Sequence, residues 1–180
     1  MTIASEFLSS SVKRLKYYKS LADKTFEQLS EQELHFQPNS ESNSIAIIIQ
    51  HMAGNMLSRW TDLLTSDGEK EWRDRDGEFE DKDLTKEKLL QFWEKGWACF
   101  LNALESLTPN DLSKTIEIRG EQLVVIDAIN RQLAHYPYHV GQIVYVGRMI
   151  KGSQWKNLSI PKGGSAEFNK SALVKDPGRS

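Results

Sequence analysis

The sequence predicts an all-α protein: a four-helix bundle of up-down-down-up topology, with a small β-hairpin before the last helix and a packed C-terminal extension. Long segments repeat apolar residues with the period of an amphipathic helix, whereas one short segment alternates polar and apolar residues as strands do. The connection between the second and third long helices spans about 20 residues, well above the ~2–8 that usually join antiparallel neighbours. Such a connection can run the length of a helix, so these two helices are expected to be parallel.

Helices A and B occupy the first part of the chain. Helix A is expected from about Ser5 to Leu29, because its apolar residues fall on one face. A short turn with the spacing of a capping box follows at Ser30–Leu34, and a segment rich in Asn, Ser and Pro then interrupts the helical pattern. Helix B is expected to begin after Ser44, a suitable N-cap, and to continue to about Leu64.

Helices C and D, with a hairpin between them, are predicted in the second half of the chain. Helix C is expected from about Thr85 to just before Pro109. Alternating polar and apolar residues on either side of a glycine-containing turn predict the β-hairpin over residues 115–125. Helix D is expected from about Asp127 to a stop at Gly152.

The predicted boundary between bundle and extension lies at the end of helix D. Residues 1–152 are expected to form the bundle and residues 153–180 the extension, whose last residues, from about Ser171, are expected to be frayed. Scattered apolar side chains predict that the extension packs along the bundle. They are Trp155, Leu158, Ile160 and Phe168.

The composition argues against several classes of protein. The net charge is −2 and charges of both signs are interspersed, unlike the basic surface of a nucleic-acid binder. The mean hydropathy is −0.52, and no apolar run approaches the ~18 residues of a membrane span. The N-terminus lacks the basic and apolar regions of a signal peptide, and the single cysteine, Cys99, excludes an internal disulfide framework. These observations predict a cytoplasmic location.

A highly charged segment, residues 67–83, connects helices B and C. Its charges alternate in sign and lean acidic, which is typical of a solvated loop. Trp72 and Phe79 within it indicate that the loop is held against the protein.

Three histidines suggest a metal site. His135 and His139 are four residues apart in helix D, so they share one helix face, and His51 lies near the edge of the apolar face of helix B. Three imidazoles from two packed helices can bind Zn, Ni, Cu or Fe and leave a coordination position open for water or substrate. The glutamate of an HExxH metalloprotease motif is missing, because Tyr136 occupies its position. The alternative is that the histidines are solvated or hydrogen-bonded residues of the bundle.

Four further residues are candidates for the pocket around such a metal. Gln142 shares the face of His139 and is expected either to hydrogen-bond bound water or substrate, or to support the site and pack. Asn55 lies one turn after the histidine of helix B, where a buried, hydrogen-bonded amide is the alternative. Arg59 is expected to pair with the acidic loop or with an anionic substrate. Tyr138 is a candidate pocket wall or a core residue.

The arrangement of the histidines resembles the DinB superfamily of YfiT-like four-helix bundles. One histidine ends the run Ser-Ile-Ala-Ile-Ile-Ile-Gln-His at residues 44–51, and the later pair is followed by Val-Gly-Gln-Ile at residues 140–143. The resemblance covers roughly residues 5–152. Residues 55–62, 67–76 and 159–169 are similar to a branch of the superfamily that is catalogued as a domain of unknown function.

The resemblance implies that His51, His135 and His139 bind a divalent metal, most often zinc or nickel. Characterised relatives include thiol-dependent enzymes that use mycothiol or bacillithiol, and homodimers are frequent among them. The resemblance therefore implies a homodimer that acts on a small molecule.

Three functions remain open at this point. The first is an enzyme whose metal holds a low-molecular-weight thiol, such as bacillithiol, as a thiolate that attacks an electrophile, which needs no protein base. The second is a metal-dependent hydrolase that activates bound water. The third is a non-catalytic, metal-stabilised stress or binding protein.

Overall fold

The computed structural model describes residues 2–160 and 163–170, and four long helices dominate it. The helices and strands, in chain order, are α1 Ile3–Phe26, α2 Glu31–Leu34, α3 Ile45–Trp60, α4 Lys86–Ser106, β1 Thr115–Ile118, β2 Glu121–Val124, α5 Val125–Lys151 and α6 Ser165–Lys170. The protein is therefore an all-α protein with a small hairpin before its last long helix, as the sequence predicts.

Helices α3 and α4 run parallel. Ala53 of α3 lies against Gly96 of α4, and further along both helices the ring centroids of Trp60 and Phe100 are 4.6 Å apart. The parallel pair confirms the direction inferred from the long connection, which returns the chain along the bundle as residues 61–85.

Helix α1 is antiparallel to this pair. Lys16 forms an ion pair with Glu105 near the end of α4, whereas Phe26, at the end of α1, packs edge-on against Trp93 near the start of α4.

Helix α5 is antiparallel to α3. The ring of His139 lies beside that of His51, while Tyr136, earlier in α5, accepts a hydrogen bond from Trp60 at the end of α3. The topology of the four long helices is therefore up-down-down-up. This arrangement brings the predicted metal-ligating faces of α3 and α5 together.

Three helix boundaries differ from the sequence predictions. Helix α1 ends at Phe26 rather than near Leu29, because the Leu29 amide donates to the Phe26 carbonyl oxygen in a turn that leaves the helix. Helix α3 ends at Trp60 rather than near Leu64, because the chain becomes extended and Asp62 then has a φ of +51°. Helix α5 begins at Val125, two residues before Asp127.

Two predicted helix ends are confirmed. The side chain of Ser44 accepts a hydrogen bond from the Ile47 amide, as an N-cap does. Gly152 ends α5 with a φ of +52°, a conformation that glycine adopts without steric cost.

The β-hairpin is joined to the long loop. Its two turn residues, Arg119 and Gly120, have φ values of +59° and +73°, the left-handed pair that a tight two-residue turn requires. Their backbone amides donate to the carboxylate of Asp67 at 2.8 and 2.9 Å. Hydrogen bonds from backbone amides lower the pKa of Asp67. The Asp67 carboxylate at the start of the loop is therefore ionised and is held by the hairpin turn.

The first residues of the C-terminal extension pack against α5 and the segment that follows α1. The backbone amide of Lys156 donates to the side chain of Gln28, and Trp155 lies beside Gly147. Ile160 is exposed, and the segment expected to fray, from Ser171 onward, lies outside the described residues. None of the described helices combines the length and apolar character that crossing a membrane requires.

Replacement of Gly96 tests the close approach of α3 and α4. A Cβ at Gly96 would lie 2.9 Å from the Cα of Ala53. We expect Gly96→Ala to lower the free energy of unfolding by about 1–3 kcal/mol, because the two backbones must separate, although alanine favours helix over glycine by about 1 kcal/mol. Urea denaturation of the metal-free protein measures this change.

Gly141→Ala is the matched control. Gly141 lies inside α5, and a Cβ added there meets no other described atom within 4 Å. We expect this variant to match or exceed the wild type in stability. Equal stability of the two variants would contradict the close packing of α3 on α4.

Candidate metal centre

Three imidazoles from two helices converge in the bundle. One ligating nitrogen from each of His51, His135 and His139 lies within 4.8 Å of the others. The Nε2 atoms of His135 and His139 are 3.0 Å apart, and the ring of His51 is centred 5.6 and 5.0 Å from their rings. All three side chains are half-buried, so the cluster is sheltered but keeps some exposure to solvent.

Each imidazole is oriented from outside the cluster through its Nδ1 atom. The acceptors are Glu78 Oε2 at 3.1 Å for His51, Gln132 Oε1 at 3.3 Å for His135 and Gln142 Oε1 at 2.8 Å for His139. Because each partner is an acceptor, Nδ1 carries the proton and Nε2 keeps its lone pair. Proteins orient metal-ligating histidines in this way.

The donor set fits a divalent cation. Nitrogen ligands lie ~2.0–2.1 Å from zinc, so two of them in a tetrahedral site are roughly 3.3–3.4 Å apart. The Nε2 atoms of His135 and His139 are 3.0 Å apart, so only a small movement of the rings would reach this spacing. With both ring protons on Nδ1, two lone pairs face each other across that gap, and a cation bound between them would replace their repulsion by attraction.

The environment keeps the histidines of α5 neutral. Burial and the neighbouring His139 and His51 lower the pKa of His135 to about 4. Burial also lowers the pKa of His139, although the hydrogen bond with Gln142 partly offsets this effect. Both rings are therefore uncharged at pH 7, which is the form that binds metal.

The long loop supplies the acceptor for His51. Its Glu78 is held by Arg73, whose Nε and Nη2 donate to the two carboxylate oxygens at 2.8 Å each. Gly54 of α3 makes room for this carboxylate, since a Cβ there would lie within 2.1 Å of Glu78 Oε1. Phe79, the next residue, lies over the His51 ring with a centroid distance of 4.7 Å.

The loop is therefore not simply solvated, which corrects the prediction from its charge pattern. The Arg73 side chain is only 1% exposed, and Glu78 is also buried. Arg73 and Glu78 neutralise each other inside the fold, whereas most other charged residues of the loop face solvent. Burial raises the pKa of Glu78, but hydrogen bonds from Arg73 and His51 outweigh burial, so its pKa is lowered and the carboxylate is ionised at neutral pH.

Comparison with known proteins identifies the family. The family model described as "Protein of unknown function (DUF1572)" matches residues 2–164. The chain belongs to the DUF1572 family. No curated protein and no solved structure matches it significantly. The three histidines of this DUF1572 protein, and all three of their Nδ1 acceptors, lie within the matched segment.

Two of the candidate pocket residues support the fold around the cluster. Asn55 is buried and its side-chain oxygen accepts from the Tyr136 hydroxyl at 3.0 Å, which is the hydrogen-bonded amide that the sequence left as an alternative. Arg59 is also buried and pairs with Glu69 of the loop at 3.2 Å. Burial lowers the pKa of Arg59 to about 10, so it stays charged at neutral pH.

The other two candidates lie against His139. Gln142 binds Nδ1 of His139, so it supports the ring from outside. Tyr138 is 64% exposed, and its ring centroid is 5.1 Å from that of His139, so it is a surface residue beside this histidine rather than a core residue.

Sequence reasoning missed Glu78, Arg73 and Gln132. Gln132 could have been found, because it lies three residues before His135 and therefore on the same helix face. Glu78 and Arg73 could not, because their positions depend on how the loop folds over α3.

His35, the fourth histidine of this DUF1572 protein, anchors the end of the same loop. Its Nδ1 lies 2.9 Å from the Asp81 carboxylate and its Nε2 lies 2.8 Å from the Leu84 carbonyl oxygen. Both partners are acceptors, so both bonds form only when the imidazole is protonated. Burial opposes that charge, but the hydrogen bonds outweigh it, and the pKa of His35 is raised.

Neutralising Glu78 should destabilise the protein. We expect Glu78→Gln to lower the free energy of unfolding by about 3 kcal/mol, because Arg73 keeps its charge in a buried site without its bidentate partner. Urea denaturation of the metal-free protein measures this change. Glu105→Gln, which removes the exposed ion pair with Lys16, should cost less than about 1 kcal/mol. Similar costs for both variants would contradict a structural role for the Glu78 carboxylate.

The His35 anchor should weaken as pH rises. A raised pKa in the folded state stabilises the protein fully below the unfolded value of about 6.5, and this contribution is lost as pH rises through the folded value. The difference in unfolding free energy between wild type and His35→Gln should therefore be largest near pH 5.5 and shrink toward pH 9. Urea titrations across this range provide the measurement. A difference that grows with pH would contradict the charged anchor.

Proposed function

We propose that this protein is a divalent-metal-dependent enzyme that transfers a low-molecular-weight thiol, such as bacillithiol, to an electrophilic small molecule. His51, His135 and His139 are the proposed ligands, and zinc or nickel is the proposed metal. One observation carries the proposal: one ligating nitrogen from each histidine converges on the others, while every Nδ1 atom has a hydrogen-bond acceptor beside it.

We also propose that the DUF1572 family belongs to the DinB superfamily. The up-down-down-up bundle supports it, as do ligands contributed by α3 and α5. A cytoplasmic homodimer is proposed as well. Tyr138, Tyr145 and Met149 support an interface, because they lie exposed along one side of α5.

The chemistry of the site favours a thiol over water as the nucleophile. A bound divalent metal would deprotonate a thiol outright, so no protein base is needed. Among the described residues, Glu78 is the carboxylate that hydrogen-bonds to the histidines, and Arg73 and His51 already occupy its oxygens. A hydrolase that removes a proton from water through a carboxylate has no free group of that kind here.

The residues around the cluster would position the reactants. Glu78, Gln132 and Gln142 hold the imidazoles at angles that direct their lone pairs inward. Phe79 and Tyr138, both exposed, would form aromatic walls against His51 and His139. These walls suit the apolar body of an electrophile.

Metal content of the purified protein tests the proposed ligands. We expect about one equivalent of divalent metal by elemental analysis when chelators are avoided, and a higher Tm than for the metal-free protein, because ligand binding to the native state adds stability. His51→Gln and His139→Gln should each lose most of the metal. His35→Gln is the matched control and should keep it. Metal content below about one tenth of an equivalent in the wild type would contradict the site.

Activity separates the enzyme from its alternatives. The metal-loaded protein should conjugate a generic aryl or epoxide electrophile with bacillithiol, cysteine or glutathione, and His139→Gln should lose this turnover while it remains folded by circular dichroism. Ester cleavage without a thiol would favour the hydrolase. A full metal complement without thiol conjugation or ester cleavage would favour the non-catalytic, metal-stabilised protein.

A further inference from the structure

A cavity lies beside the Glu78 side chain, away from the histidine cluster. Its volume is about 270 Å³, and it is enclosed by α3, the first turns of α4 and the long loop. Gly54, at its floor, carries no side chain, and Glu78 and Arg73 form one wall. The three histidines are not among its lining residues, so it is separate from the candidate metal centre.

Aromatic side chains frame the mouth of this cavity. Trp72 of the loop is 60% exposed and Phe92 of α4 is 45% exposed, although both are large and apolar. Leu57 and Leu84 continue the apolar lining. Concave apolar surface with a few polar groups is typical of small-molecule sites, and exposed aromatic residues around it favour a flat ligand.

Two residues of the wall carry buried polar atoms without a partner. Among the described residues, Gln50 Oε1 and Arg73 Nη1 have no hydrogen-bond partner, and the nearest acidic oxygen to Arg73 Nη1, on Glu69, is 3.9 Å away. Buried polar atoms are nearly always hydrogen-bonded, so these two atoms can still pair with polar groups.

Lys82 supplies a positive charge at the cavity that can pair with an anion. Glu78 is neutralised by Arg73, and Asp74 accepts a hydrogen bond from the Gly77 amide. Lys82 also lines the cavity, and within the described part of the chain no hydrogen bond or ion pair involves it. A ligand with an aromatic body and one carboxylate would pair with Lys82 and stack on the aromatic rim.

We propose that this cavity is a second small-molecule site, which binds a small aromatic carboxylate between Trp72, Phe92 and Lys82. Its occupancy requires no metal, so it stands apart from the proposed catalytic function.

Titration of the metal-free protein with benzoate, in the presence of EDTA, tests the site. Two-dimensional ¹H–¹⁵N NMR should show saturable shifts that include the Trp72 indole, and benzoate should bind at least tenfold more tightly than benzylamine. Trp72→Ala should weaken benzoate binding at least tenfold. Lys82→Gln should lower the affinity for benzoate to the affinity that the protein has for benzamide, its neutral amide. Both residues are exposed, so the variants should fold, and thermal unfolding checks this.

The control variant is Tyr145→Ala, which removes an aromatic side chain that is 71% exposed on α5, outside this cavity. It should leave benzoate affinity unchanged. His139→Gln should also bind benzoate normally, so loss of the metal centre is distinguished from loss of this site. Absence of saturable shifts, equal binding of benzoate and benzylamine, or equal losses in Trp72→Ala and Tyr145→Ala would each overturn the proposal.

Discussion

The buried ion pair between Arg73 and Glu78 is the interaction on which the rest of the site depends. It ties the long loop to α3, and the same carboxylate accepts the Nδ1 proton of His51. A charged pair this far from water is stable only when its hydrogen bonds are well formed. Bidentate contact with Arg73 and the open space above Gly54 provide that geometry. Without the pair, the ring of His51 would lose its outer support.

The parallel packing of α3 and α4 explains why such a loop exists. Two parallel neighbours need a connection that returns along the bundle, and residues 61–85 provide it. Gly96 allows α4 to approach Ala53 closely, and α5 then packs antiparallel to α3 with its two histidines beside His51. The same connection that satisfies the topology therefore also covers one side of the histidine cluster.

The loop presents different surfaces to two neighbouring regions. On one side, Glu78 and Phe79 contact His51, and on the other side Trp72 and Lys82 line the cavity beside Glu78. Between these surfaces, Arg73 and Glu78 cancel each other's charge, which allows this part of a strongly charged segment to be buried. The proposed metal centre and the proposed small-molecule site would thus share one structural support without sharing ligands.

The sequence by itself determined the helices, the hairpin, the parallel central pair and the candidate ligands. Periodicity, caps and connection length are local properties, and the spacing of His135 and His139 on one helix face is set by helix geometry. Only the tertiary structure decided that His51 lies at the height of that pair and that Glu78 orients it. Both depend on how α3 packs against α5 and on how a loop without regular periodicity folds over α3. Charge alternation in residues 67–83 is the same for a solvated loop and for one whose charges pair internally, and only packing distinguishes the two.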